Sequence, residues 1–110
     1  MSNKTYAIGD LAIGLTNIAD KIEWSKSISM GSDTRFDGTH NGIYISVQHV
    51  QERINQDLVF IYKIYLNGES VFEGINSAVE SLWWKIIDID DAKSKIKFDD
   101  MCNKLFNDTF

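Results

Sequence analysis

The chain has 110 residues, enough for one domain over residues 1–110 whose core needs no disulfide or metal staple. Its apolar fraction of 44% and charged fraction of 25% are those of a folded globule and exclude a disordered chain. The net charge of −5 argues against a nucleic-acid backbone as the main partner, because phosphate binding needs a lysine or arginine patch; it suits a basic protein partner, or simply solubility.

The first periodic segment is Ile8, Leu11, Leu15, Ile18 and Ile22, with Ala12 and Ala19 beside them. These helical steps predict a helix over about 10–27 with one apolar face, although Gly9 and Gly14 each cost about 1 kcal/mol relative to alanine. A rival reading makes Gly9-Asp10 a hairpin turn. Residues 29–42, SMGSDTRFDGTHNG, hold three glycines and read as a long, turn-rich connection. Connections of that length are functional or conceal a short strand; residues 28–37 could supply one, and Phe36 could pin the segment to the core.

Ile43, Ile45 and Val47 alternate with polar positions and predict a strand over about 43–50, after which QERINQD turns the chain. Leu58–Leu66 is a second strand, and Asn67-Gly68 predicts a tight hairpin into Glu69–Glu73, because both central residues of that turn need positive φ. A strict two-residue turn sets Ile64 opposite Val71 and Lys63 opposite Phe72. One face then carries Leu58, Phe60, Tyr62, Ile64, Leu66 and Val71. The other carries Val59, Ile61, Tyr65 and Phe72, interrupted by Lys63. With both faces largely apolar, the second demands a cover: a helix of this chain, a second copy, or another partner.

Ser77-Ala78-Val79-Glu80 fits a capping box at the start of a helix over about 78–89. Val79, Leu82, Trp83 and Ile86 form its stripe, and Trp84 points about 100° away from Trp83. Asp90 or Asp91 can cap a further helix ending at about 108, with Phe98, Met101, Cys102, Leu105 and Phe106 as apolar positions. Lys95–Phe98 also alternates, so a short strand before a final helix over 99–108 is an alternative. The predicted fold class is α+β: an N-terminal helix, a three- to four-stranded antiparallel meander with the Asn-Gly hairpin, and one or two C-terminal helices packed on the sheet.

The sequence holds one cysteine, two histidines and no proline. A lone Cys102 cannot close an intramolecular disulfide, which suits a reducing cytoplasmic compartment. No signal peptide or membrane-length apolar run is visible. The missing prolines, all of whose codons are GC-rich, suggest an AT-rich bacterial or phage genome. Asp33–Gly38 resembles the opening of a calcium loop, but Arg35 stands where an oxygen ligand belongs and Tyr44 where the closing glutamate belongs, so an Asx-type turn fits better. His49 shares the inward parity of Ile45 and Val47, and Cys102 reads as a packed core thiol. The aspartates at 88, 90 and 91 read as helix caps. No cofactor or metal is implied.

These readings favour a non-enzymatic binding protein that inhibits or neutralises another macromolecule by occlusion. Toxin immunity proteins and phage anti-defence proteins such as anti-CRISPRs share this size, charge and composition. The expected partner-binding residues are Asp33, Arg35, Phe36, Asp37, His40, Tyr65, Phe72 and Trp84, meeting a protein partner such as a basic nucleic-acid-handling protein. A second expectation is a nucleotide or small-anion binder acting as a homo-oligomer, with Arg35, His40 and Arg53 on the anion and Trp83 or Trp84 on a base. A third, an enzyme using His40 or His49 with an aspartate, lacks a local nucleophile–base pair.

Overall fold

A computed structural model describes residues 6–29 and 33–107 of the chain. Helix α1 spans Ile8–Ile18 and tightens into a 3₁₀ turn at Ala19–Lys21. Five strands follow: β1 Ser25–Ile28, β2 Thr34–His40, β3 Ile43–Ile54, β4 Asp57–Leu66 and β5 Glu69–Gly74. Helix α2, Ser77–Phe106, closes the described chain. The strands form one antiparallel meander in chain order, so the α+β class read from the sequence holds with more strands than expected.

Three two-residue turns build the meander. Asn41-Gly42, Asn55-Gln56 and Asn67-Gly68 all have positive φ at both positions, the geometry whose twist matches that of the flanking strands. Asn67 also joins the sheet. Its backbone N–H donates to the Tyr44 carbonyl at 2.8 Å, and its side-chain oxygen accepts from the Tyr44 N–H at 2.9 Å.

Both helices lie on one face of the sheet, and the core sits between. A row of side chains, Phe36, Val47, Ile64 and Phe72, crosses β2 to β5 on that face. Above it pack Ala12, Leu15, Val79, Leu82, Trp83 and Ile86. At α2's N-terminus Asn76, not Ser77, is the cap; its side-chain oxygen accepts from the N–H groups of Ala78 and Val79 at 2.9 and 3.2 Å. That satisfies two of the free amides a helix start leaves.

Several expectations are corrected. The N-terminal helix stops at Ile18, not near Ser27, because Ile22 and Trp24 alternate with exposed Glu23 and Ser25 as the chain enters β1. The 29–42 connection contains all of β2; its residues 30–32 lie outside the described residues, as does residue 108 of the expected last helix. β3 runs to Ile54, so only Asn55-Gln56 turns the chain. α2 is one helix through 95–98, so Asp88, Asp90 and Asp91 lie mid-helix and are not caps.

The molecule is a thin slab, 59 × 47 × 22 Å, with a radius of gyration of 17.1 Å against about 13 Å for a compact chain of this size. Two projections account for the difference. β3 and β4 pair with each other over 45–66, but β2 reaches only to His49 and β5 only to Tyr62. Residues 50–61 therefore form a two-stranded arm beyond the sheet. At the other projection, α2 crosses the edge strand β1 near residues 90–93, where Lys26 faces Asp90 at 4.0 Å and Lys93 meets Glu23 at 3.4 Å. The next 13 residues, 94–106, carry the helix about 20 Å onward.

Candidate interaction surfaces

The outer face of the sheet is not the apolar surface the sequence predicts. A register shift between Ile64 and Tyr65 bulges β5, so Phe72 stands opposite Ile64 and points to the core, while Glu73 takes the place opposite Lys63. Lys63 then bridges Glu52 at 3.0 Å and Glu73 at 3.6 Å. Arg35 pairs with Asp37 at 2.8 Å on the same face, beside Ser46 and Gln48. Tyr65 is half-buried there, and Ile61 is buried. Among the described residues no element covers this face; its central row is charged and internally paired, which removes the demand for a cover.

The expected partner-binding residues are consequently dispersed. Phe36 is fully enclosed in the core and meets Trp83 edge-on at 5.2 Å between ring centroids. It anchors β2 and offers nothing to a partner. Phe72 is half-buried against the same core. Asp33 accepts from the Gln51 N–H at 2.9 Å, which ties the entry of β2 to the base of the arm. Arg35 and Asp37 spend their charge on each other. His40 sits at the turn end of β2, opposite Ile43, whereas Arg53 lies near the arm tip, ten positions further along β3; at the rise of a strand they are about 33 Å apart. Arg35 lies on the face opposite the tryptophans. The set expected to hold an anion is not brought together within one chain. The calcium-like segment becomes β2, its turn and the start of β3, whose alternate side chains diverge to opposite faces.

Trp84 stays available: it is 55% exposed, whereas its neighbour Trp83 is 3% exposed. Beside it runs a groove of about 240 Å³ between α2 and the sheet, lined by Lys26, Thr34, His49, Tyr62, Ile87 and Asp91 among others. His49 is the centre of its floor. Its ring stacks on Phe60 at 4.8 Å and lies 4.9 Å from Tyr62 and 5.4 Å from Trp83. Burial against these rings pushes the imidazole below its ordinary pKa, against a weaker upward pull from Asp33 and Glu80. The unfolded chain takes up the proton first as pH falls, so His49's contribution to stability is complete above about pH 6.5 and is lost as pH drops from there toward the folded value. The urea midpoint is therefore expected to fall between pH 7.5 and 5.5, and His49→Phe, which keeps a neutral ring, is expected to show a smaller fall. Equal losses in both proteins would rule out His49 as the source.

The arm carries three exposed large apolar side chains, besides Ile28, Ile43, Tyr44 and Val71 elsewhere on the sheet. Ile54 is 49% and Leu58 57% exposed near its tip, with Phe60 behind them. The alternation in the sequence ends the first strand at about residue 50, too early to reveal this element. The overhang of α2 carries Phe98, Met101, Leu105 and Phe106, all exposed, and Cys102 half-buried among them rather than in a core. No described helix is long and apolar enough to cross a membrane, and no cluster of potential metal ligands occurs among the described residues. Comparisons with family models, with curated proteins and with solved structures find nothing that matches this chain.

Proposed function

We propose that this is a non-enzymatic binding protein of the cytoplasm that neutralises another macromolecule by occlusion, in the manner of immunity or anti-defence inhibitors, with the β3–β4 arm as its contact element. One observation carries the reading. The arm projects two strands clear of the sheet and places Ile54, Leu58 and Phe60 in solvent, on both of its faces. Water-exposed aliphatic and aromatic groups on a projecting hairpin are stabilised by entering a partner's cleft, where buried anchors set the dissociation rate. The net charge of −5 supports a partner with a basic surface, since opposite charge speeds encounter.

The test is direct. A photo-cross-linking residue at position 58, introduced into the chain in a bacterial host, is expected to capture one target protein, and the purified chain is expected to block that target's own activity at stoichiometric amounts. Ile54→Asp with Leu58→Asp should abolish inhibition and leave the melting curve of the chain nearly unchanged, because both positions are exposed. An arm variant that inhibits as well as the native chain would overturn the reading, as would an arm that cross-links only to further copies of itself.

A further inference from the structure

We infer that the chain forms a two-fold homodimer in which β1 pairs with β1 of a second copy and the overhanging halves of the two α2 helices cross the dyad side by side, antiparallel. The pairing does not depend on the arm; on α2 an apolar pattern continues past the core. Trp84, Asp91, Phe98 and Leu105 are spaced by seven residues, and Ile87, Ser94 and Met101 fall three after the first three of them. That is an a/d heptad seam over three repeats, lying on a different side of the helix from the core stripe of Val79, Leu82 and Ile86. Its apolar ends, Trp84 and Ile87 at one end and Phe98, Met101 and Leu105 at the other, flank a polar centre. Trp84, Asp91, Ser94, Phe98, Met101 and Leu105 are all exposed, and Ile87 is half-buried at the groove.

Such a seam matches a reversed copy of itself. With the dyad between Ala92 and Lys93, Trp84 layers with the partner's Met101 and Ile87 with the partner's Phe98. At the centre Asp91 faces the partner's Ser94, whose hydroxyl can donate to the carboxylate. In an antiparallel pair each flank of the seam meets the same flank of the other helix. One flank carries Asp88 and Lys95, and the other Asp90 and Lys97. In this alignment Asp88 meets the partner's Lys95 and Asp90 the partner's Lys97, so both flanks are complementary in charge. A parallel pair would instead place each of these positions near its own height on the other helix, where the opposite flanks offer Asp88 against Asp90 and Lys95 against Lys97.

The fold independently puts the dyad in the same place. α2 crosses β1 at residues 90–93, through the Lys26–Asp90 and Glu23–Lys93 contacts. β1 is an edge strand, exposed over all four residues, with no described strand on its free side. A two-fold axis normal to the sheet at that edge joins β1 to its copy in antiparallel fashion. The same axis lays residues 98–105 of one helix over the groove of the other copy, above His49 and beside Trp84. The free edge, the overhang and the half-open aromatic floor are then covered in one step.

Sedimentation of the native chain is expected to give twice the 12.6 kDa chain mass at micromolar concentration. Asp88→Lys with Asp90→Lys, and separately Lys95→Asp with Lys97→Asp, should each sediment as monomers while keeping their helical circular dichroism. Mixed in equal amounts, the two variants should recover the dimer mass as a heterodimer, because one helix is then cationic and the other anionic at all these positions. A native chain that stays monomeric at hundreds of micromolar would overturn the inference. So would charge variants that remain dimeric alone, or that fail to associate when mixed.

Discussion

Trp83→Ala is expected to lower the stability of the fold by about 3–5 kcal/mol, the range for removing a large buried aromatic. Trp83 is 3% exposed and touches three strands at once: Phe36 of β2 at 5.2 Å, His49 of β3 at 5.4 Å and Tyr62 of β4 at 6.1 Å. Its loss leaves a void where α2 crosses the sheet, and rigid strand backbones on one side limit how far the void can collapse. Since small domains hold only about 5–15 kcal/mol in total, the melting temperature should fall by more than about 10 °C. The control is one residue away. Trp84→Ala, at a concentration where the chain is monomeric, should change stability by no more than about 0.5 kcal/mol, because that side chain is more than half exposed. At concentrations that favour dimer its effect should grow, since association stabilises the folded chain by mass action. Urea unfolding of both variants at two protein concentrations reads both effects. Equal losses for the two tryptophans at low concentration would contradict this packing.

How much of the fold and its surfaces was legible in the sequence depends on the range of the signal. Alternation in Ile43–Val47 and Leu58–Leu66, the Asn67-Gly68 turn and the stripe from Val79 to Ile86 are local patterns, and each corresponds to an observed element. Asn41-Gly42 carries the same turn signal as Asn67-Gly68, but its flanking strand, TRFDGTH, has a single large apolar residue, so β2 reads as loop. The bulge in β5 has no local signature in Glu69–Glu73, and it moves Phe72 from the outer face to the core. That one shift takes Phe72 off the second face that alternation alone implies and sets Glu73 beside Lys63, while Val59, Ile61 and Tyr65 stay on that face. Asp90 and Asp91 suggest a helix start because aspartate favours caps. In the structure they ride through mid-helix, one of them near Lys26 of β1, a partner that no local window contains. The arm and the overhang are hidden for a related reason: each consists of element length in excess of its neighbours, a property of the assembled sheet rather than of any segment. Of the residues expected to bind a partner, Trp84 alone rests on a purely local argument, the angle between adjacent helical positions, and it alone remains largely exposed as a large apolar group.

Gly38→Ala is the second substitution expected to act strongly, although glycine there sits in ordinary strand conformation and the change adds only a methyl group. The cause is a close approach. The chain leaving the 3₁₀ turn passes directly over β2, and a Cβ at position 38 would meet the Ile22 Cγ2 methyl inside van der Waals contact, with the Glu23 carbonyl oxygen 3.2 Å and the Trp24 ring 3.4 Å away. Ile22 and Trp24 are 4% and 5% exposed, and the Trp24 indole N–H donates to the Ala19 carbonyl at 3.0 Å, so the overlying segment is held at both ends. Overpacking of this kind costs about 1–3 kcal/mol. Gly38→Ala combined with Ile22→Ala separates that cause from any intrinsic preference for glycine. Ile22→Ala alone should cost about 2–5 kcal/mol through the cavity it leaves. With the obstructing methyl gone, the new Cβ at 38 fills part of that cavity, so the double variant should be more stable than the sum of the two losses predicts, by about 0.5–3 kcal/mol. Additive losses would mean that the backbone at Glu23, rather than the Ile22 side chain, sets the spacing between β2 and the segment above it.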